Sequence, residues 1–210
     1  NYFDPSNTHY SVLRVINDDI IAPGMGFGEH PHRDMEIVTW MIKGALRHGD
    51  SLGNMRDLRP GELQAMSAGS GIRHSEFNAS STQSAHLLQI WLMPAERGIA
   101  PRYDQRPFDA ANRAGKWDTL AAGPKQLQQY PSAMPIYQDA SIRVVDLKPG
   151  QAVDVTLEAG RKGYLHLATG QATLATQKLD AGDAVTFEGP ATLTLTGDAD
   201  NTQALMFDLP

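Results

Sequence analysis

The chain alternates between short apolar stretches, many with a period of two residues or rich in β-branched residues, and polar stretches that contain glycine or proline. This pattern predicts many short β-strands. We predict strands over residues 10–21, 36–42, 86–93, 141–147, 152–157, 164–167, 184–187, 191–195 and 204–209. Apolar stripes with a helical period are scarce, and the best helical candidate is the short segment 113–122. The pattern therefore predicts an all-β protein.

Residues 94–135 interrupt the strand pattern. They contain few consecutive apolar residues and are rich in proline, at Pro94, Pro101, Pro107, Pro124, Pro131 and Pro135. Segments of this kind are typical of connections between folded units. We therefore predict two β domains, at residues 1–117 and 118–210, joined through a Pro-rich connector.

The two halves share a pattern of glycines. In the first half, Gly44 and then Gly61 separate apolar segments, and in the second half Gly170 and then Gly182 do the same. In each half the pattern thus predicts three strands in a row, separated by two turns that contain glycine. A duplicated β-barrel explains the pattern, and the alternative is that two unrelated all-β segments share glycine turns by coincidence.

Composition excludes several kinds of chemistry. The 210 residues contain no cysteine, which rules out disulfides, thiolate metal sites and cysteine nucleophiles. A net charge of −6 argues against nonspecific binding to nucleic acid or to an anionic membrane. No apolar run approaches the roughly 20 residues that span a bilayer. We expect a cytoplasmic location, although a start at Asn1 rather than methionine leaves room for a removed leader.

Two short pairs of polar residues carry the candidate chemistry. His30 and His32 flank Pro31, and residues two apart on an extended segment project from the same face, roughly 6 to 7 Å apart. Pro31 restricts the backbone to this extended form. His74 and Glu76 form a second pair with the same spacing. Two such pairs from separate strands can close one mixed nitrogen and oxygen site.

Three imidazoles and one carboxylate suit iron(II), manganese(II), nickel(II), copper(II) or zinc(II) better than calcium or magnesium. An octahedral ion held by four side chains keeps two positions open, which favours catalysis or ligand binding over a structural role. A single pair of histidines two residues apart is a weak signal, because such residues are more often exposed or hydrogen-bonded. Two matching pairs make the metal hypothesis much stronger.

The segments around these pairs resemble a known family. The two cupin motifs are similar to the residues at Gly24, His30, His32, Glu36, Gly61, His74 and Asn78. The spacing departs from the generic motifs in two places: seven residues rather than six separate Glu36 from Gly44, and the second motif has Ser67 in place of proline and two extra residues before His74. More specifically, GFGEHPHRDMEIVTW at 26–40 and MSAGSGIRHSEF at 66–77 resemble pirin and the bacterial pirin-like bicupins. The resemblance implies an all-β bicupin with two jelly-roll-like β-barrels packed face to face. It also implies one metal, in the N-terminal domain.

Carried over by position, the pirin-like pattern makes His30, His32, His74 and Glu76 the metal ligands, with Glu76 also a candidate general base. A generic cupin would instead use Glu36, which lies about 13 Å beyond His32 along an undistorted strand. We therefore expect Glu76 to bind the metal and Glu36 to support the site or the fold. Iron(II) is the expected ion, with nickel, manganese, copper and zinc as alternatives.

The C-terminal domain lacks an equivalent set. The internal repeat places Thr156, Glu158, Leu195 and Gly197 at the ligand positions, and the histidine of this half, His166, lies alone in an apolar run. We therefore expect one metal per chain. His48, followed by Asp50, could line a cavity mouth, but the sequence favours a turn.

The resemblance implies two alternative functions. The first is an enzyme, a quercetin 2,3-dioxygenase that uses O2 to open the C-ring of a flavonol-like aromatic molecule. The second is a metal-binding, redox-responsive regulatory protein that recognises a protein partner without turnover. Both use the same four ligands, and neither involves direct contact with nucleic acid or a membrane.

Overall fold

The computed structural model describes residues 8–210, which form two compact units. The first unit runs to Phe108 and includes Ile136–Gln138, and the second consists of Asp109–Pro135 and Asp139–Pro210. The assignment of residues 1–117 and 118–210 as separate domains stays a prediction. None of the helices in the described part of the chain has the length and apolar character needed to cross a bilayer.

The first unit consists of two antiparallel sheets. The larger contains, in spatial order, β1 (Leu13–Ile21), β8 (Ala85–Leu92), β3 (Glu36–Lys43), β6 (Glu62–Ser67) and β9 (Arg102–Pro107). The smaller contains β2 (Gly26–His32), β7 (Ile72–Asn78), β4 (Leu46–Asp50) and β5 (Met55–Leu58). Buried apolar residues from both sheets pack together, as Met41 on β3 and Leu46 on β4 illustrate. The arrangement is a jelly roll rather than a closed barrel.

The second unit repeats this design. Its larger sheet contains, in spatial order, β11 (Met134–Pro135), β10 (Asp118–Ala122), β12 (Ser141–Leu147), β19 (Thr202–Leu209), β14 (Lys162–Thr169) and β17 (Ala184–Glu188). The smaller sheet contains β13 (Ala152–Leu157), β18 (Ala191–Gly197), β15 (Gln171–Leu174) and β16 (Gln177–Asp180). A short helix, α1 (Ala110–Arg113), and a single 3₁₀ turn at Gln126–Gln128 complete the unit.

The strand order confirms the internal repeat. The core of the larger sheet, β1-β8-β3-β6, corresponds to β12-β19-β14-β17, and the smaller sheet β2-β7-β4-β5 corresponds to β13-β18-β15-β16. The paired glycines lie at equivalent turns. Gly44 and Gly170 have φ values of 82° and 77°, a conformation that favours glycine. A Cβ atom on Gly170 would also lie 2.6 Å from the backbone of Thr202. The duplication is therefore visible in both topology and turn geometry.

All of the predicted strands are present, with ends shifted by up to three residues. The predicted helix over 113–122 is wrong, because its second half is β10, which pairs with β12. Leu120, Ala121 and Ala122 are all buried, whereas an amphipathic helix would expose part of such a run.

The segment 94–135 is more than a connector. It supplies β9, an edge strand of the first unit, and β10 and β11, which extend the larger sheet of the second unit. Pro107 ends β9 and Pro135 ends β11, so these prolines lie at strand ends or edges, where a missing backbone donor is tolerated. The fold is thus all-β, with two jelly-roll-like units as predicted, but its Pro-rich segment is itself part of the sheets.

Candidate metal centre

Neighbouring strands bring the two predicted pairs together. β2 and β7 pair antiparallel, and His30 lies directly opposite His74. Because residues two apart project from the same face of a strand, His32 and Glu76 join them on the inner side of the smaller sheet. The pairing is irregular between Phe27 and His30, where the register shifts. Local spacing and strand pairing together therefore assemble the candidate site.

Three imidazoles converge at its centre. Ligand atoms of His30, His32 and His74 all lie within 4.8 Å of one another. The Nε2 atoms of His30 and His74 are 3.1 Å apart, and the ring centroids of His32 and His74 are 4.9 Å apart. His30 Nδ1 is 2.8 Å from the carbonyl oxygen of Gly28, which is only an acceptor. The Nδ1–H therefore donates to Gly28, and the Nε2 lone pair of His30 faces the other two rings.

The electrostatic environment keeps two of these rings neutral. Burial and the neighbouring imidazoles lower the pKa of His74 to about 4, although Glu76 opposes this shift. Burial and the neighbouring imidazole of His30 likewise lower the pKa of His32. Metal ligation requires neutral imidazole. The cluster therefore meets the requirement of a transition-metal site at neutral pH, in both donor type and donor geometry.

Glu76 is 1% exposed and is hydrogen-bonded through both carboxylate oxygens. Gln64 Nε2 donates to Oε1 at 2.7 Å, and Gln89 Nε2 donates to Oε2 at 2.6 Å. Burial alone would raise the pKa of Glu76. The His48 imidazole, 3.9 Å away, and the Gln64 amide outweigh it, so the pKa lies below its ordinary value and the carboxylate is ionised. Ligand atoms of Glu76, His74 and His48 all lie within 4.8 Å of one another, whereas Glu76 does not belong to the group formed by His30, His32 and His74.

The prediction that His48 sits in a turn rather than at a cavity mouth is wrong. His48 lies on β4, is fully buried and stacks on Tyr103 with ring centroids 4.3 Å apart. Its Nε2 is 2.9 Å from the carboxylate of Asp50, and the two carboxylates Asp50 and Glu76 raise its pKa despite burial. The structure shows an alternation of buried Leu46, exposed Arg47 and buried His48. The sequence offers no clear strand signal here, because Arg47 and His48 are both polar and glycine follows.

Glu36 belongs to the supporting fold. It is 2% exposed and accepts hydrogen bonds from the hydroxyl of Ser67 at 2.9 Å and the backbone N–H of Tyr137 at 3.0 Å. Burial raises its pKa, although these bonds and Arg102 oppose the shift. In the described part of the chain, Glu36 joins neither group of potential metal-binding side chains.

An open cavity of about 490 Å³ lies beside one of the three imidazoles, that of His32. His32 lines it together with Pro31, Arg33, Ser51, Gly71, Ile72 and Arg73. Its size falls within the range of about 300 to 1,000 Å³ that is usual for small-molecule sites. A small molecule in this cavity would lie next to the ring of His32.

The second unit has different residues at the positions that correspond to the candidate ligands. Its predicted ligand positions include exposed Thr156 on β13 and buried Leu195 on β18, and His166 is 5% exposed on β14. A cavity of about 670 Å³ in this unit is lined by ion pairs such as Arg161–Asp208, and no imidazole is among its lining residues. Within residues 8–210, the side-chain groups that could hold an ion all lie in the first unit.

Two jelly rolls with the same strand order define this protein as a bicupin, and its first unit carries the candidate metal centre. Residues 1–92 match the family described as Pirin, and residues 127–209 match the family described as Quercetinase C-terminal cupin domain. This chain belongs to the pirin family.

Individual relatives agree with this assignment. A protein of Escherichia coli K12 named quercetin 2,3-dioxygenase is 42% identical over 211 residues, covering 100% of this chain and 87% of the relative. A pirin-like protein of Caulobacter vibrioides is 41% identical over 196 residues, covering 93% of this chain and 83% of the relative. The crystal structure of bacterial pirin YhhW from Escherichia coli in complex with nickel(II) superposes with a TM-score of 0.89. It is 38% identical, and the match covers 100% of this chain and 87% of that chain.

Proposed function

We propose that this protein is a metal-dependent dioxygenase of the quercetinase type, which uses O2 to open the C-ring of a flavonol-like phenol. The convergence of three imidazoles within 4.8 Å carries the proposal, and one of them, His32, lines an open cavity of about 490 Å³. The names of the relatives, among them a quercetin 2,3-dioxygenase and a nickel-bound pirin, support it.

His30, His32 and His74 would hold one divalent transition metal, with Glu76 as the fourth ligand. The bound cation would supply Lewis acidity, which favours the ionised form of a phenol hydroxyl placed beside it. His30 is prepared for this role because its Nδ1–H is already committed to Gly28. We propose iron(II) as the native ion, with nickel, manganese, copper and zinc as alternatives, because imidazole and carboxylate accept most first-row ions.

Glu76 would accept the phenol proton at a carboxylate oxygen. An ionised carboxylate has about four acceptor positions, and the amides of Gln64 and Gln89 occupy two of them. The remaining positions are available to a metal or to a proton. A phenol in the open cavity beside His32 would lie next to that imidazole.

Metal analysis of protein purified without chelator, followed by oxygen uptake with quercetin, tests the proposal. We expect one transition-metal ion per chain and oxygen consumption that stops when the metal is removed and returns on reloading. A metal-loaded protein that consumes no oxygen with quercetin would contradict the enzymatic function. That result would favour the regulatory, partner-binding alternative.

A Glu76→Gln variant separates the two roles of Glu76. We expect loss of turnover on the order of 100-fold or more if the carboxylate is the general base. Glu36→Gln is the matched control, because Glu36 is also a buried glutamate of the first unit but lies outside both candidate groups. If Glu76→Gln keeps both its metal and full activity, Glu76 is not the base.

A further inference from the structure

A hydrogen bond between the two sheets of the first unit supports Glu76. Gln89 lies on β8 in the larger sheet and is 8% exposed, whereas Glu76 lies on β7 in the smaller sheet. The Gln89 amide nitrogen donates to Glu76 Oε2 at 2.6 Å. The smaller sheet thus presents the carboxylate, and the larger sheet fixes one of its oxygens.

Trp91 determines which way the Gln89 amide points. Trp91 lies two residues further along β8, on the same face, and its indole N–H donates to Gln89 Oε1 at 3.1 Å. An indole N–H can only donate, and an ionised carboxylate can only accept. A reversed amide would place its oxygen against Glu76 and its NH2 group against the indole N–H. Only one amide orientation therefore satisfies both neighbours, with the nitrogen of Gln89 towards Glu76 and its oxygen towards Trp91.

The other amide at Glu76 is held less firmly. Gln64 Oε1 is 3.3 Å from the hydroxyl of Tyr103, but that hydroxyl is closer to Gln105 Oε1, at 2.8 Å. One hydroxyl proton cannot be donated fully to both oxygens. Gln89 is therefore the amide whose orientation is fixed by a dedicated donor.

The same indole contacts a second predicted ligand. The rings of Trp91 and His32 meet edge to face, with centroids 5.0 Å apart and an interplanar angle of 85°. Trp91 therefore touches one imidazole of the candidate centre directly and reaches the carboxylate through Gln89. A single half-buried side chain links two of the four predicted ligands across the two sheets.

We propose that Trp91 and Gln89 are positioning residues for the metal centre: the Trp91 N–H locks the Gln89 amide, and this amide holds the Glu76 carboxylate in its ligating orientation. The proposal rests on the metal-dependent function proposed above. Hydrogen-bonded partners of metal ligands typically contribute 10- to 100-fold to metal affinity or activity.

Cobalt(II) affinity and the absorption spectrum of the cobalt-loaded protein provide the test, because the spectrum responds to ligand geometry independently of turnover. In Gln89→Met, which keeps the side-chain length but removes the amide, we expect about 10- to 100-fold weaker binding and a changed spectrum. Trp91→Phe keeps an aromatic ring against His32 but loses the N–H, and we expect a smaller loss of affinity. Because Trp91 acts on Glu76 through Gln89, the double variant should bind no more weakly than Gln89→Met.

Gln138→Met is the matched control. Gln138 is another buried glutamine of the first unit, and its amide bonds to the backbone carbonyl of Met93. We expect wild-type cobalt affinity and spectrum from this variant. Thermal unfolding of each metal-free variant identifies any that fail to fold, and if Gln89→Met is one of them, Trp91→Phe decides the question.

The outcomes separate this proposal from the function on which it rests. A wild-type protein that binds no cobalt, nickel or iron would overturn both. A wild-type protein that binds cobalt, with unchanged affinity and spectrum in the folded variants, would overturn the positioning role alone. Losses that simply add in the double variant would show that Trp91 does not act through Gln89.

Discussion

The two units share a strand order but have different interiors. Between the sheets of the second unit, the buried residues form a continuous apolar cluster that includes Val155, Leu165 and Leu195. The first unit also has apolar clusters, but between its sheets it buries polar side chains, namely Thr39, His48, Gln64, His74, Glu76 and Gln89. The same topology therefore folds around either kind of interior. The jelly roll does not require the polar residues, which points to chemistry as the reason for their presence.

The difference has an energetic consequence. A buried polar group destabilises the folded state unless it finds a partner. In the first unit Glu76 is bonded to two amides and His48 to Asp50. The Nδ1 atoms of His48 and His74, by contrast, have no hydrogen-bond partner. A metal bound at the Nε2 atom of His74 would add a favourable interaction that only the folded state can make. We expect the first unit to gain more stability from metal than the second.

The largest expected effect is on metal binding itself. His74 belongs to both groups of potential ligands, and its Nε2 lies 3.1 Å from that of His30. We expect His74→Gln to reduce the metal content from about one ion per chain to near zero, as measured by elemental analysis. His86→Gln is the control, because His86 lies in the same unit but pairs with Asp18. Full metal content in His74→Gln would contradict the assignment of the three-histidine centre.

The second prediction places a polar residue in the apolar interior. Leu195 is fully buried on β18. We expect Leu195→His to lower the free energy of unfolding by about 3 to 5 kcal/mol, because it removes apolar burial and adds a polar ring without a designed partner. Leu195→Met is the matched control and should cost less than about 1.5 kcal/mol. Denaturant titration measures both, and equal stability of the two variants would count against the apolar requirement.

A smaller effect is expected from pH in the metal-free protein. The pKa of His74 falls from 6.5 to about 4 on folding, so the unfolded chain takes up the proton first as pH decreases. The contribution of His74 to stability is therefore complete above about pH 6.5 and declines towards pH 4, by at most about 3 kcal/mol. We expect His74→Gln to flatten this dependence in chelator-treated protein. Parallel curves for the two proteins would show that His74 is not the titrating group.

Much of the fold could be predicted because its signals are local. Alternating apolar residues identified strands such as Ala152–Leu157, and paired glycines identified the repeat. The helix predicted over 113–122 failed because a short apolar run does not distinguish a helix from a strand buried in a sheet. β9 lay in the Pro-rich segment, where its pairing with β6 outweighs a weak local pattern.

The sequence likewise indicated some residues of the candidate site and missed others. The spacing of two residues within each pair indicated His30, His32, His74 and Glu76 as candidate ligands. In the structure, ligand atoms of the three histidines lie within 4.8 Å of one another. The sequence did not indicate Gln64 or Gln89, because an isolated glutamine in a strand carries no signal of its own. His48 was interpreted as a turn residue for the same reason.

The sequence by itself determined which side chains share one face of a strand, because that depends only on the period of two along an extended backbone. It thereby specified the imidazole pair on β2 and the imidazole and carboxylate pair on β7. Only the tertiary structure decided what faces them. The larger sheet brings Gln89 and Trp91 to Glu76, and this contact depends on packing between sheets rather than on distance along the chain.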